Sequence, residues 1–430
     1  MNLRRRRSLN RSGLSLGTLL EPSGGRIVVS KMPEQRRWRV AEDGLHRLAL
    51  NLHPNEASGL LTAEAEPLLE AHGWELAFWA VLDEGEIEDC VAIIGHRRGA
   101  DIAEGWEIER LHARALGDAG KTEDAEAITR HEGWIYMFGS HFGSKDGPLQ
   151  PKRGFVARFR EADVRHATED PAMEVEISRE AFLLHRLIND ALRADGPELI
   201  PLGKASYEAL IEATIKRGEE ENKDWTGLVR QDDYPINIEG AAFRESGTFL
   251  LGLRFPVAAD GRPVLVEIEG IERLFERGDA LPEVVGFWVV DAVGRKGEIA
   301  GVRDLALLGT AAGEELHLVS GNVDSWDKGS ILIQDYPGGR HTVATHFRCV
   351  LPSGAHSGSL GAEFVREFPT LPRVEGIAIT PKAASSTLPT RTRASTSVSP
   401  ASWQASACTI RSSVSQARGS RSGDGGDQCG

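Results

Sequence analysis

The chain has 430 residues, 40% of them apolar and 27% charged, a composition that supports a sizeable core and excludes wholesale disorder. The formal charge of −14 hides a division, because residues 1–39 carry +8, residues 380–430 carry +4 and the stretch between them carries −26. A body that acidic repels phosphate backbones, which excludes nucleic acid as its partner, and no apolar run approaches the ~18 residues that a membrane-spanning helix needs.

Taken in chain order, residues 1–25 read as a disordered basic N-terminus. The run Arg4 to Arg7 precedes an apolar stretch, Leu14 to Leu20, that Ser15, Gly17 and Thr18 interrupt. That makes a weak export signal, so a cytoplasmic protein is expected. Residues 26–379 read as one β-rich domain. Its first part offers strands at Arg26 to Ser30, His46 to Leu52, Trp74 to Leu82 and Cys90 to Gly95, with a helical stretch near 62–71, and is expected to form one or two divergent repeats.

A repeat then becomes visible. Residues 124–138 read DAEAITRHEGWIYMF and residues 237–251 read NIEGAAFRESGTFLL. Each opens with Asp or Asn, one residue and Glu, passes small or apolar residues and a turn, and ends in an apolar run. A third copy from Val302 to Asn322 keeps the apolar skeleton but has Arg303 in place of the Glu, and a fourth opens as RVEGIAI, Arg373 to Ile379. Short apolar runs follow in fours, bounded by turn residues, as antiparallel strands joined by tight turns should be. In the first copy these are Glu126 to Thr129, Trp134 to Phe138, Phe155 to Phe159 and Met173 to Ile177. The second has Glu239 to Phe243, Phe249 to Leu253, Val264 to Ile268 and Val284 to Val290, and the third has Val302 to Leu308, Leu316 to Val319, Ser330 to Ile333 and Val343 to Val350.

The spacings are 113 residues from Glu126 to Glu239, 64 to Arg303 and 72 to Glu375. The longer interval holds an insertion at about 178–230, with one helix capped by Ser178 and running to about Arg193, and another from Ser206 to about Lys216. Four-stranded units at this period predict an all-β fold, a β-propeller of about five to six blades incomplete at its C-terminus, with the helical insertion on one rim. A β-sandwich is the rival, but it does not require the Asp-x-Glu opening to recur. From 380 the composition breaks, with 18 Ser or Thr in 51 residues. This segment reads as a disordered or out-of-frame tail.

At DAEAI with MFGSH, NIEGAAF with LLGLRFP, VSGN and RVEGIAI, the sequence resembles bacterial β-propeller-like proteins of unknown function, and in repeat style the esterase-like domain found beside phytases. The resemblance covers about residues 120–379. It implies a propeller and, by analogy with related hydrolases, acids in the channel acting as metal ligands. It implies no particular reaction.

Equivalent positions of different blades lie on a ring, so Glu126, Glu239 and Glu375, flanked by Asp124 and Asn237, are expected to converge. Such hard oxygens suit Ca²⁺. The competing reading is a latch, each Glu accepting hydrogen bonds from backbone amides of the next blade, and Arg303 weakens the metal reading. A second ring, His141, Arg254 and Asn322, follows the second strands and is expected to line a channel mouth that takes a small molecule or peptide. The sequence therefore leaves two functions open. One is a ligand-binding or interaction scaffold. The other is a calcium-type, metal-assisted hydrolase of phosphate or carboxylic esters, with Glu126, Glu239, Glu375 and Asp124 on the metal and His141 as acid or base.

Overall fold

A computed structural model describes residues 14–19, 28–33, 48–50, 52, 56–380 (apart from 84, 118–121, 180, 294–296, 311–312, 325–328 and 370–373) and 406–410. Strands β1 (Leu14–Leu19), β2 (Val28–Pro33) and β3 (Leu48–Leu50) come first, and they join the last sheet of the molecule rather than the first. The first blade is an antiparallel meander of β4 (Ala57–Thr62), β5 (Trp74–Leu82), β6 (Val91–Arg97) and β7 (Trp106–Leu111), with α1 (Glu66–His72) between its first two strands.

The second blade runs β9 (Ala125–His131), β10 (Trp134–Gly139), β11 (Val156–Arg160) and β12 (Met173–Ser178), with β8 (Ala113–Leu116) parallel on its outer edge. The third runs β13 (Asn237–Phe243), β14 (Thr248–Phe255), β15 (Val264–Glu269) and β16 (Glu283–Asp291), and the fourth β17 (Gly301–Thr310), β18 (Gly313–Gly321), β19 (Thr345–Leu351) and β21 (Glu363–Glu367). The short β20 (Gly358–Gly361) adds to the edge of the third blade. The fifth sheet has the order β22 (Gly376–Thr380), β23 (Ser406–Ile410), β2, β1, β3.

The innermost strands β4, β9, β13, β17 and β22 each pack on the next, and β22 packs on β4. The fold is thus a five-bladed, propeller-like all-β ring, at the lower end of the expected blade number. Five apolar clusters fill its five inter-blade spaces, for example Trp79 with Ile128 and Met137, Tyr136 with Phe249, and Leu250 with Leu305 and Leu318. The fourth and fifth blades meet through Val319 and Ile377, and the fifth and first through Ala378 with Leu60 and Phe78. Strand β14 shows why the sequence reads as it does. Side chains alternate along a strand, so Phe249, Leu251 and Leu253 face the second blade while Leu250 faces the fourth. A sheet covered on both faces needs the unbroken apolar run TFLLGLRF instead of an alternating one. Gly252 belongs to the same design, because a Cβ there would lie 2.5 Å from Val302 Cγ1 on the neighbouring blade.

Several local expectations are corrected. Ser178 ends strand β12 instead of capping a helix, and the helix α2 (Leu183–Asp195) begins after Phe182; Glu180 lies outside the described residues. The second helix is longer than the periodicity suggests. It runs through α3 (Lys204–Ser206), a π-helical segment (Tyr207–Glu212) and α4 (Ala213–Glu220). Ser330 to Ile333 is no strand, because the Ser330 hydroxyl accepts from the Leu332 amide at 3.1 Å and caps the short helix α5 (Ile331–Asp335). The insertion closes over one end of the ring, where Leu210, Ile211 and Phe182 pack with Phe142 of the second blade, Phe255 at the end of β14 and Leu332 of α5.

Of the N-terminal 25 residues only β1 is described, and of the segment after Thr380 only β23, antiparallel to β22. Among the described residues no helix is long and apolar enough to cross a membrane.

Candidate functional site

In the first four blades, pairing between the innermost strand and its neighbour slips by one residue near the start of the strand. The skipped residues are Gly59 in β4, Glu126 in β9, Glu239 in β13 and Arg303 in β17. A β-bulge leaves its extra residue out of the ladder and re-aims the side chain. In the fifth blade Glu375 stands just before β22. The repeat period therefore marks one structural position, occupied in ring order by Gly59, Glu126, Glu239, Arg303 and Glu375.

These residues do not gather round a common point as metal ligands. Arg303 lies between two of the acids, its Nη1 3.1 Å from Glu239 Oε2 and its Nη2 paired with Glu375 Oε1. Glu239 Oε1 also accepts from Arg254 Nη1 at 2.7 Å, and Arg254 continues to Asn322, donating to its backbone oxygen at 3.2 Å and its Oδ1 at 3.3 Å. Burial opposes the charge on Arg254, but the carboxylates of Glu239, Asp324 and Glu375 outweigh it and hold the guanidinium charged. Asp124 pairs with Arg153 at 3.0 Å and accepts from the Ser140 hydroxyl. Among the described residues, no three oxygens of Asp124, Glu126, Glu239 and Glu375 lie within 4.8 Å of one another.

Glu126 differs from its neighbours. Among the described residues its carboxylate has no hydrogen-bond or ion-pair partner, and it keeps partial contact with solvent although protein encloses it. The cause is the first blade, where Gly59 supplies no side chain at the ring position. Gly59 has φ of +53°, and a Cβ there would sit 2.8 Å from the Glu126 backbone oxygen, so the gap is built into the backbone. Burial, then the charges of Glu239, Asp124, Asp83 and Glu375, push the Glu126 carboxyl well above the usual carboxylate range. Asp83 is raised in the same way by burial, Glu56, Glu375 and Asp124. Two further acceptors nearby on the ring are buried without a donor, Glu375 Oε2 and Asn237 Oδ1.

Of the expected trio, the hydrogen bonds join two members. Arg254 and Asn322 touch, whereas His141 sits in the second blade, with Nδ1 2.8 Å from Gly139 O. A carbonyl accepts, so Nδ1 carries the proton and Nε2 the lone pair. Burial, aided by His185, pushes this imidazole down to about 4, so it is neutral at physiological pH. His141 (φ +58°) and Asp124 (φ +73°) are both non-glycine residues in the left-handed region, and Ser140 ties them together by its backbone and hydroxyl bonds to Asp124. Strain of this kind persists only where the surroundings fix it and is found most often at functional sites.

Asp83, Glu56, Arg153 and Asp304 have no forerunner in the sequence reading. The first blade has no acid at the repeat position, so nothing marked Asp83 or Glu56, and Arg153 lies in the variable loop between second and third strands. Asp304 follows the residue that breaks the repeat. Asp324 accepts from the Ser330 hydroxyl. Cys90 and Cys349 are buried free thiols, each pushed up to about 12 by burial and therefore inert.

The raised Glu126 carboxyl has a measurable consequence. A folded-state value above the unfolded one gives stability that is complete below the unfolded value and is lost as pH rises through the folded value. Glu126→Gln is therefore expected to raise Tm at pH 8 and to change little at pH 5. Thermal melts at the two pH values check this, and a lower Tm at pH 8 would mean that the carboxylate has a cationic partner.

No family model matches the chain, and no curated protein matches it. Among solved structures, it is similar to a candidate 6-phosphogluconolactonase from Bacteroides uniformis, at 12% identity and a TM-score of 0.29 over 83% of each chain. It is also similar to the extracellular domain of a candidate one-component system from B. thetaiotaomicron, at 6% identity and a TM-score of 0.25. That match covers 85% of this chain, which spans only 36% of the other. At such scores neither likeness bears on activity, and the fold rests on the strand pairing described above.

Proposed function

We propose that the chain is a ligand-binding propeller whose site is the end of the ring where Glu126, Asn237 and Glu375 present acceptors beside the gap at Gly59. The observation that carries this reading is the Glu126 carboxylate, left without a partner among the described residues while its neighbours in the ring are paired with arginines. Acceptors without donors, in a surround that already raises carboxyl groups, favour a ligand that brings donors and positive charge. The reading is therefore a small molecule or peptide carrying an ammonium or guanidinium group. Arg254 and Asn322 serve the wall of the site, and His141 shapes its second-blade side as a neutral imidazole.

A panel of amines, amino sugars and short basic peptides, each beside its N-acetylated counterpart, tests this by thermal shift. Charged members are expected to raise Tm and acetylated ones not to, and Glu126→Gln is expected to remove the difference. Equal shifts from both series would overturn the proposal.

The calcium-assisted hydrolase keeps one observation in its favour, that the two unsatisfied buried acceptors near the ring position, Glu375 Oε2 and Asn237 Oδ1, are oxygens. Against it, Ca²⁺ takes six to eight oxygens at about 2.3–2.6 Å, whereas Arg303 already occupies the place between Glu239 and Glu375. Adding millimolar Ca²⁺ to EDTA-treated protein is expected to leave Tm unchanged. A rise that Glu239→Gln abolishes would restore the metal reading.

A further inference from the structure

A second cluster lies on the rim, far along the chain from the ring position. His72 ends α1 in the first blade, Glu109 lies on β7 at the outer edge of the same blade, and His166 belongs to the connection between β11 and β12 in the second. One ligand atom from each comes within 4.8 Å of the other two, the only such group among the described residues. The His72 side chain is 6% exposed, with Nδ1 3.2 Å from Glu109 Oε1. Its Nε2, and Glu109 Oε2, are buried with no hydrogen-bond partner. Unpaired buried polar atoms cost free energy unless something completes them.

We infer that His72, Glu109 and His166 form a site for a borderline divalent cation of the Zn²⁺ type, which pins the first blade to the second. Two imidazoles and one carboxylate suit zinc and leave a fourth tetrahedral position for water.

The ring of His72 is stacked between Trp74, at 4.1 Å and 14°, and His166, at 4.3 Å and 11°. Lone pairs of parallel rings do not converge, so binding must tilt His166 off the stack. His166 is free to do this, being half-buried in a connection, with Nδ1 held only by the Thr168 hydroxyl at 2.9 Å and amide at 3.2 Å. His72 cannot, because Trp74 is buried beneath it and its indole Nε1 is fixed on Glu107 at 2.9 Å.

The test uses the full chain without an affinity tag, stripped with EDTA and titrated with Zn²⁺ against a chromophoric chelator. One equivalent is expected to bind, with affinity reduced tenfold or more by His166→Ala and by Glu109→Gln, and unaffected by Glu126→Gln. Cu²⁺ is expected to quench part of the tryptophan emission through Trp74, and His166→Ala to diminish that quenching at equal metal. His166 is at the surface, so its variant remains informative if His72→Gln fails to fold. No bound zinc, or one equivalent unchanged in both the His166 and Glu109 variants, would overturn the inference.

Discussion

Replacing Arg303 with methionine is expected to destabilise the folded chain by about 3–5 kcal/mol at pH 8, the usual cost of removing one partner from a buried ion network. The methionine keeps most of the apolar stem, so the loss reports the guanidinium. Arg303, Glu239 and Glu375 are all at least nine-tenths buried. Glu239 would keep Arg254, at 2.7 Å. Glu375 would lose the partner of Oε1, while its Oε2 already has none. The double variant Arg303→Met with Glu375→Gln should therefore recover more than half of the loss, a coupling that a double-mutant cycle in denaturant isolates.

A variant within 1 kcal/mol of the parent at pH 8 would mean that water, and not Arg303, neutralises the ring.

The repeat that makes the ring legible in the sequence also explains what stayed hidden. Strands buried on both faces must be apolar throughout, and a bulge at a fixed position lets one polar residue recur at one place. Asp124, Glu126, Asn237 and Glu239 were visible for that reason. The first blade carries Gly59 at the same place, so its register could not be read, and strand β4 went unrecognised although β5 and most of β6 were found. Arg303 stands out in the sequence as a cation among the acids of the repeat. Its positive role, as the cation between Glu239 and Glu375, depends on the order of blades around the ring, which spacing does not encode. Local chemistry was misread where two signals compete. Ser330 followed by apolar residues suits a strand, but its hydroxyl is better used on the Leu332 amide, and the segment becomes α5.

The latch expected of the glutamates exists, but the residue after Arg303 carries it. Asp304 is fully buried and accepts three backbone amides: Leu305 at 2.8 Å, Leu60 of β4 at 3.3 Å and Ile377 of β22 at 2.7 Å. One carboxyl group of the fourth blade thus holds the first and fifth blades, and its partners on them lie 244 and 73 residues away along the chain.

Asp304→Ala leaves three buried amides without acceptors and is expected to cost about 3–6 kcal/mol in denaturant unfolding, allowing for partial rescue by water. Asp304→Asn keeps one acceptor oxygen and should lose about half as much. The two variants should also differ from Arg303→Met in where the molecule opens. Contacts that close a long loop form last and yield first under local unfolding. Hydrogen exchange at Leu60 and Ile377 should therefore accelerate in Asp304→Ala while the Leu250 to Leu253 amides of β14 exchange only on global unfolding. A loss below about 1 kcal/mol with Ile377 still protected would show that apolar packing alone closes the ring. In that case Ala378 against Leu60 and Phe78 would be the closure to mutate next.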